Sequence, residues 1–219
     1  MSPITRVRPF LVATLTVLLA VLPAMAADPD RRSGMPAGVP ADWWSEVQRS
    51  IQLEEYAVVA EGPAGTNFRA VNPAHRFEGR FDAAGLRLAP TEGTGWAWGL
   101  SLTGWGRPGA LDAADVRWLS SDEDRVELDR GLLTEWFVNS PDGLEHGFTV
   151  PVPPRDDGNR LVLDMALAGG LRPVFAEDGQ AVDFFSNANV SVLRYAKLIV
   201  TRAALSQLER RLGDEKDAS

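Results

Sequence analysis

The strongest constraint in this sequence is the period of its apolar side chains. They recur every second residue in short runs, and the runs are separated by clusters of turn-forming residues. Phe77, Gly79 and Phe81 alternate with polar neighbours, Leu86 and Leu88 resume the pattern up to Pro90, and Trp96, Trp98, Leu100 and Leu102 share one face of an extended chain. The same pattern continues through Val116 and Trp118, Val126 and Leu128, Trp136 and Val138, Phe148 to Val152, Leu161 to Leu167, Val182 to Phe184, and Val190 to Val200. Between the runs stand Asp82-Ala83-Ala84-Gly85, Ser140-Pro141-Asp142-Gly143, Asp156-Asp157-Gly158-Asn159, Glu177-Asp178-Gly179-Gln180 and Asn187-Ala188-Asn189, all turn chemistry. About ten short strands without intervening helices predict an antiparallel arrangement, because parallel neighbours need long crossovers. The expected fold class is all-β, with antiparallel β-sandwich-like sheets.

Helical periodicity is confined to the ends. Asp42 can cap a helix on which Trp44, Val47 and Ile51 recur at spacings of three and four, opposite Glu46, Gln48 and Arg49. A short C-terminal helix is expected in the tail 203–219, where Leu205, Leu208 and Leu212 repeat among charges. At the N-terminus, Arg6 and Arg8 precede an apolar run from Phe10 to Leu22, then Pro23 and Ala24-Met25-Ala26, the layout of a secretory signal peptide cleaved before Ala27. That run is shorter than the ~20 residues a spanning helix needs, so a membrane anchor is the weaker alternative. The expected organisation is a signal peptide over 1–26, a flexible linker over 27–39, a β-sandwich-like domain over 40–202 and the helical tail. A secreted or periplasmic location follows, with no membrane span after cleavage.

Charge and composition remove several function classes. With 22 basic against 30 acidic residues the net charge is -8, which opposes a nucleic-acid partner. There are no cysteines and two histidines, so disulfides, thiolate metal sites and cysteine nucleophiles are excluded. His75 and His146 fit no ligand spacing, and no metal or cofactor is expected. Asp122-Glu123-Asp124 and Asp156-Asp157-Gly158-Asn159 are rich in oxygen but lack the alternating carboxylates of a calcium loop, and solvated turns account for them.

The residues that could carry chemistry gather in one hairpin, Glu135-Trp136-Phe137-Val138-Asn139 followed by Leu144-Glu145-His146-Gly147-Phe148. If Asn139 pairs with Leu144 and Phe137 with His146, then Glu135, Phe137, His146 and Phe148 share a face. Glu135 and His146 become diagonal neighbours about 7 Å apart at Cβ, near enough for a carboxylate to orient an imidazole. The competing reading is a structural ion pair. Glu135 with Glu145 could instead act as a carboxylate pair on a sugar, and Glu127, Asp164 and Asp183 are further acids whose separations the sequence does not fix. Seven tryptophans suggest sugar stacking, with Trp96, Trp98 and Trp105 as candidates. Trp96 and Trp98 share a face with Leu100 and Leu102 and are expected in the core, whereas Trp105 between two glycines is the more open.

The chain resembles the N-terminal region of large secreted bacterial proteins that carry FG-GAP repeats, the integrin-alpha-type β-propeller repeat. The resemblance rests on Pro40-Ala41-Asp42-Trp43-Trp44 with Glu55-Tyr56, Val71-Asn72-Pro73-Ala74-His75-Arg76, Trp96-Ala97-Trp98-Gly99-Leu100 with Gly104-Trp105-Gly106, the two hairpin halves, and Leu193-Arg194-Tyr195-Ala196-Lys197-Leu198. It implies a secreted all-β module acting in surface recognition and brings no catalytic residues. Such proteins continue past the position of Val200 through further strands to their repeats, whereas here Thr201-Arg202-Ala203-Ala204-Leu205 follows and the repeats are absent. A stand-alone relative or a truncated reading frame is expected, with an exposed sheet edge open to pairing. The leading expectation is a non-enzymatic structural or recognition module whose partner is a surface protein or glycan. The alternatives are a carbohydrate-binding module using exposed tryptophan and a sugar-acting enzyme using Glu135 with Glu145 or His146.

Overall fold

The structure is a computed structural model that describes residues 12–21, 40–62, 65–93, 95–151 and 161–203. The expected linker, the Asp156–Asn159 turn and nearly all of the expected C-terminal helix fall outside these residues. Helix α1, Ala41–Glu55, carries Asp42 in its first turn. Trp44 and Val47 are half-buried while Trp43 and Glu46 are exposed, the amphipathic division expected from their spacing.

The remaining elements are strands in two antiparallel sheets. One sheet holds β1 (Val12–Val21), β8 (Trp118–Asp122), β9 (Arg125–Asp129), β10 (Thr134–Ser140), β11 (Gly143–Val150), β13 (Arg172–Phe175), β14 (Ala181–Phe185) and β15 (Ser191–Ala203). Its order is β13-β14-β15-β1-β11-β10-β9-β8. The other holds β2 (Val58–Glu61), β3 (Asn67–Asn72), β4 (Phe77–Asp82), β5 (Gly85–Pro90), β6 (Trp98–Arg107), β7 (Ala110–Ala113) and β12 (Val162–Gly169). Its path is β12-β6-β5-β4-β3-β2, with β7 paired to β6. The fold is all-β and sandwich-like, as the period-two pattern predicts.

The core lies where the inward faces meet. Phe77, Phe81, Leu86, Leu88, Trp98 and Leu100 come from the smaller sheet, and Val126, Leu128, Phe137, Leu144, Phe184 and Leu193 from the larger. Phe81 meets Phe137 with ring centroids 5.2 Å apart, and Trp98 meets Phe184 edge to face at 5.2 Å. Each fully buried large apolar side chain contributes about 1.5–3 kcal/mol, so alternation alone supplies the main driving force. At the β4–β5 turn Gly85 has φ of 117°, and a Cβ there would run into the Leu100 carbonyl, so the turn and the neighbouring strand both require glycine.

Two features depart from simple alternation. Opposite Asp164 and Met165 the register of β12 on β6 shifts, leaving Thr103 as an extra residue in β6. The bulge reverses which face the following residues present, so Trp105 turns inward beside Leu102, Ala114, Leu133, Phe148 and Val150. The second is β1. The apolar segment expected to be an export signal lies here as a strand between β11 and β15, antiparallel to both.

Candidate functional site

The β10–β11 hairpin has the expected register. Asn139 pairs with Leu144, Phe137 with His146 and Glu135 with Phe148, around the two-residue tip Pro141-Asp142. Glu135, Phe137, His146 and Phe148 therefore point to the interior together. Glu145 is opposite Val138 and, one residue out of step, belongs to the other face, so it does not join Glu135 as a carboxylate pair.

Glu135 and His146 are both fully buried, with Oε1 2.9 Å from Nε2. The other carboxylate oxygen accepts from Arg130 Nε at 2.8 Å and Nη2 at 2.5 Å, and Arg130 Nη1 donates to the Ala114 carbonyl. On the far side of the imidazole, Nδ1 lies 3.1 Å from the Tyr195 hydroxyl. The ring stacks on Phe137 at 4.3 Å with 7° between planes and meets the edge of Phe148 at 4.7 Å.

Electrostatics favour the ionised carboxylate and the protonated phenol at the two positions flanking His146. Burial alone would raise the Glu135 carboxyl, but the hydrogen bond and charge of His146, together with the Arg130 guanidinium, outweigh it and hold the pKa below the usual range. An ionised carboxylate only accepts, so His146 Nε2 donates to Glu135, and Nδ1 lies within hydrogen-bond distance of the Tyr195 hydroxyl. Burial first, and the Glu135 charge second, push the Tyr195 phenol far above its ordinary pKa, which keeps that proton in place. The row Arg130–Glu135–His146–Tyr195 is thus a closed chain of satisfied groups. It has the parts of a general-base dyad, enclosed here in a sheet in which β1 lies between β11 and β15.

A second buried polar cluster lies beside the same hairpin. Asn72 and Asn139 are both fully buried, and Asn72 Nδ2 donates to Asn139 Oδ1 at 2.9 Å and to the Ser140 carbonyl at 2.8 Å. Asn139 Nδ2 donates to the carbonyls of Tyr56 at 3.0 Å and Val71 at 2.9 Å. The Asn72 Oδ1 accepts the His75 backbone N–H at 3.0 Å. This cluster ties β3 of one sheet to β10 of the other. At the β8–β9 turn, the carbonyls of Glu123 and Asp124 accept the backbone N–H groups of Val58 and Asn139. The acidic run there builds a structural corner.

The tryptophans sort differently from the sequence expectation. Trp98 is buried as expected, but Trp105 is 5% exposed, because the Thr103 bulge turns its indole inward; neither offers a free ring face to a sugar. Trp96 is half-buried and lines a hollow of about 470 Å³ with Gly95, Leu171, Ser186, Asn187 and Val192. A second hollow of about 310 Å³ is bordered by Glu78, Arg80, Arg87, Gly99 and Trp98. The Trp98 ring packs inward on Phe184, and Glu78 is held by Arg69 and Arg80, each at 2.7 Å, so this hollow has no free carboxylate beside an open indole. Glu135 and His146 line neither hollow. Asp183 is paired to Arg194 and Glu127 to Arg125, while Asp164 accepts from Thr103.

Arg130 and Tyr195 are the functional neighbours that the sequence pattern does not single out. Arg130 sits five residues before Glu135, across a corner whose shape no periodicity reveals, and Tyr195 comes from a strand with no sequence-local relation to the hairpin. Compared with protein-family models, curated proteins and solved structures, the chain finds no match in any of the three.

Proposed function

We propose that the chain is an exported, non-enzymatic recognition or structural module, related in design to the N-terminal regions of FG-GAP repeat proteins. The observation that carries this reading is that the polar atoms of Glu135 and His146 are all engaged by Arg130, Tyr195 and each other, which leaves neither side chain a spare group for a substrate. The motif residues Tyr56, Asn72, Asn139, His146 and Tyr195 converge in these two buried polar clusters, which supports a framework role for them. Export draws its support from the sequence layout before Ala27. Among the described residues no helix is long and apolar enough to cross a membrane.

Production in an exporting bacterial host, followed by N-terminal sequencing, tests the export step: Ala27 is expected as the first residue, and retention of Met1 overturns it. The purified protein is expected to turn over nothing on a panel of chromogenic glycosides and esters. Turnover that disappears in Glu135→Gln would overturn the non-enzymatic reading.

A second reading is favoured by the Trp96 hollow, where an indole, apolar walls and the polar groups of Ser186 and Asn187 meet in a space of small-ligand size. Such a site stacks a pyranose ring. Binding on a glycan array that is lost in Trp96→Ala supports it, and silence across the array removes it.

A further inference from the structure

The outer face of the smaller sheet carries a charge pattern that breaks off at a hollow. One register row crosses it as Arg69, Arg80, Arg87, Gly99 and Ala168, from β3 through β4, β5 and β6 to β12. Arg80 therefore has an arginine directly opposite on each side, an arrangement that costs stability unless acids intervene. Between Arg69 and Arg80 they do. Glu78 accepts from Arg69 Nε with Oε2 and from Arg80 Nε with Oε1, each at 2.7 Å, and Glu61 Oε2 lies 2.6 Å from Arg80 Nη1. Between Arg80 and Arg87 no carboxylate is shared, since Asp82 holds Arg87 Nη1 at 2.5 Å and makes no bond to Arg80. In the next row the residue opposite Glu78 is Ala89, where a second bridging acid would stand.

The hollow of about 310 Å³ opens at that place, bordered by Arg80, Arg87, Ala89, Ala97, Gly99 and Ala168. A Cβ on Gly99 would lie 3.2 Å from that of Ala168, and with glycine and alanine side by side no large side chain covers the sheet there. Both guanidinium groups have capacity left. Among the described residues Arg80 Nη2 and Arg87 Nε and Nη2 make no hydrogen bond, and the two side chains are 56% and 64% exposed. Trp98 also borders the hollow, and its buried indole Nε1 has no hydrogen-bond partner among the described residues.

We propose that this hollow binds a small organic acid with an apolar ring, its carboxylate bridging Arg80 and Arg87 where the acid ladder stops and its ring lying on Gly99 and Ala168. A guanidinium fork meets a carboxylate with two parallel N–H bonds, so each arginine gains the partner that Glu78 supplies one step along the row. The volume is at the small end of ligand pockets and takes a single ring, not an oligomer. Alanine and glycine walls reward an apolar body, a gain that a bare inorganic anion does not receive. The net charge of -8 repels anions at a distance, so the attraction is confined to contact with the two guanidinium groups. The site shares no lining residue with the Trp96 hollow and does not depend on export.

Titration of the full chain with sodium benzoate, followed by nitrogen-resolved NMR, tests the site. Saturable shifts are expected at the Arg80 and Arg87 Nε–H signals and at the Trp98 indole N–H, with a Kd on the order of 1 mM. Arg87→Gln and Ala168→Leu, both at exposed positions, are each expected to weaken binding about five-fold or more, while Arg172→Gln on β13 leaves it unchanged. Benzyl alcohol, the same ring without the charge, is expected not to compete. The absence of saturable shifts up to about 20 mM benzoate overturns the proposal, as does binding that both Arg87→Gln and Ala168→Leu retain in full. Inorganic phosphate that displaces benzoate at equal concentration, or glucuronate that binds more tightly than benzoate, would overturn the choice of an apolar ring.

Discussion

Glu135 and His146 face each other across β10 and β11 with 2.9 Å between Oε1 and Nε2, and neither side chain reaches solvent. The carboxylate is held from the other side by Arg130, itself almost wholly buried. A buried pair of this kind adds little beyond an apolar substitute of the same shape, yet losing one partner leaves a charge stranded. Arg130→Met is therefore expected to lower stability by about 3–5 kcal/mol. Urea denaturation measures it, and a loss below about 1 kcal/mol would mean that the guanidinium is dispensable to the carboxylate.

The same carboxylate sets the response to acid. Its folded pKa lies below the ordinary value of 4.5, so as pH falls through that range the unfolded chain takes up the proton first. The stabilisation is complete above 4.5 and is lost as pH drops through the lower, folded value. Glu78 acts in the same direction: burial opposes ionisation, but the hydrogen bonds and charges of Arg69 and Arg80 prevail. Stability of the parent protein is expected to fall steeply below about pH 4.5. Glu135→Gln, although less stable at neutral pH, should show a shallower slope there. Denaturation midpoints collected across the acid range compare the two slopes, and equal slopes would remove Glu135 from the account.

The two asparagines give a sharper test of how the sheets are joined. Asn139→Ala removes the acceptor of one Asn72 Nδ2 hydrogen, the other staying on the Ser140 carbonyl, and takes the Nδ2 donor away from the carbonyls of Tyr56 and Val71; each buried group left without its partner costs about 1–3 kcal/mol. Asn72→Ala removes the shared hydrogen bond from the other end. Since both changes break the same contact, the double variant is expected to lose less than the two single losses together, by about 0.5–3 kcal/mol. Full additivity in a double-mutant cycle would show that the two side chains do not act as one clamp.

These buried polar groups also show where the sequence stops being legible. The period of two carries the fold class, and taking Ser140 to Gly143 as the loop gives the β10–β11 register that the structure has. It placed Glu135 and His146 together. It could not say that Arg130 and Tyr195 would close off both ends, since those contacts come from a corner and from a strand beyond β1. Trp105 lies inside and not in the open because a single extra residue, Thr103, reverses the face of β6, and a bulge leaves no mark in alternation. Strands β7 and β13 are exposed along their whole length and so have no period to read. In β3 the inward positions include Asn72, a polar residue where the pattern calls for an apolar one.

A final prediction concerns the outer side of the hairpin. Trp136 pairs with Gly147, and its indole lies where a Gly147 Cβ would stand. The ring is nearly buried, and the Arg125 guanidinium sits over it at 4.5 Å. A glycine inside a strand is ordinarily a weakness, and alanine there would be expected to help slightly. Here the indole fills the vacated space, so Gly147→Ala must displace the ring from both the strand and the arginine. The expected cost is about 1–3 kcal/mol, as for other overpacked sites, with a shift in tryptophan emission as the ring meets water. The decisive comparison is made in the Trp136→Ala background, where the space is empty and the same Gly147→Ala change should become neutral or mildly stabilising. If it costs as much there as in the parent, the glycine is required by its backbone and not by the indole resting on it.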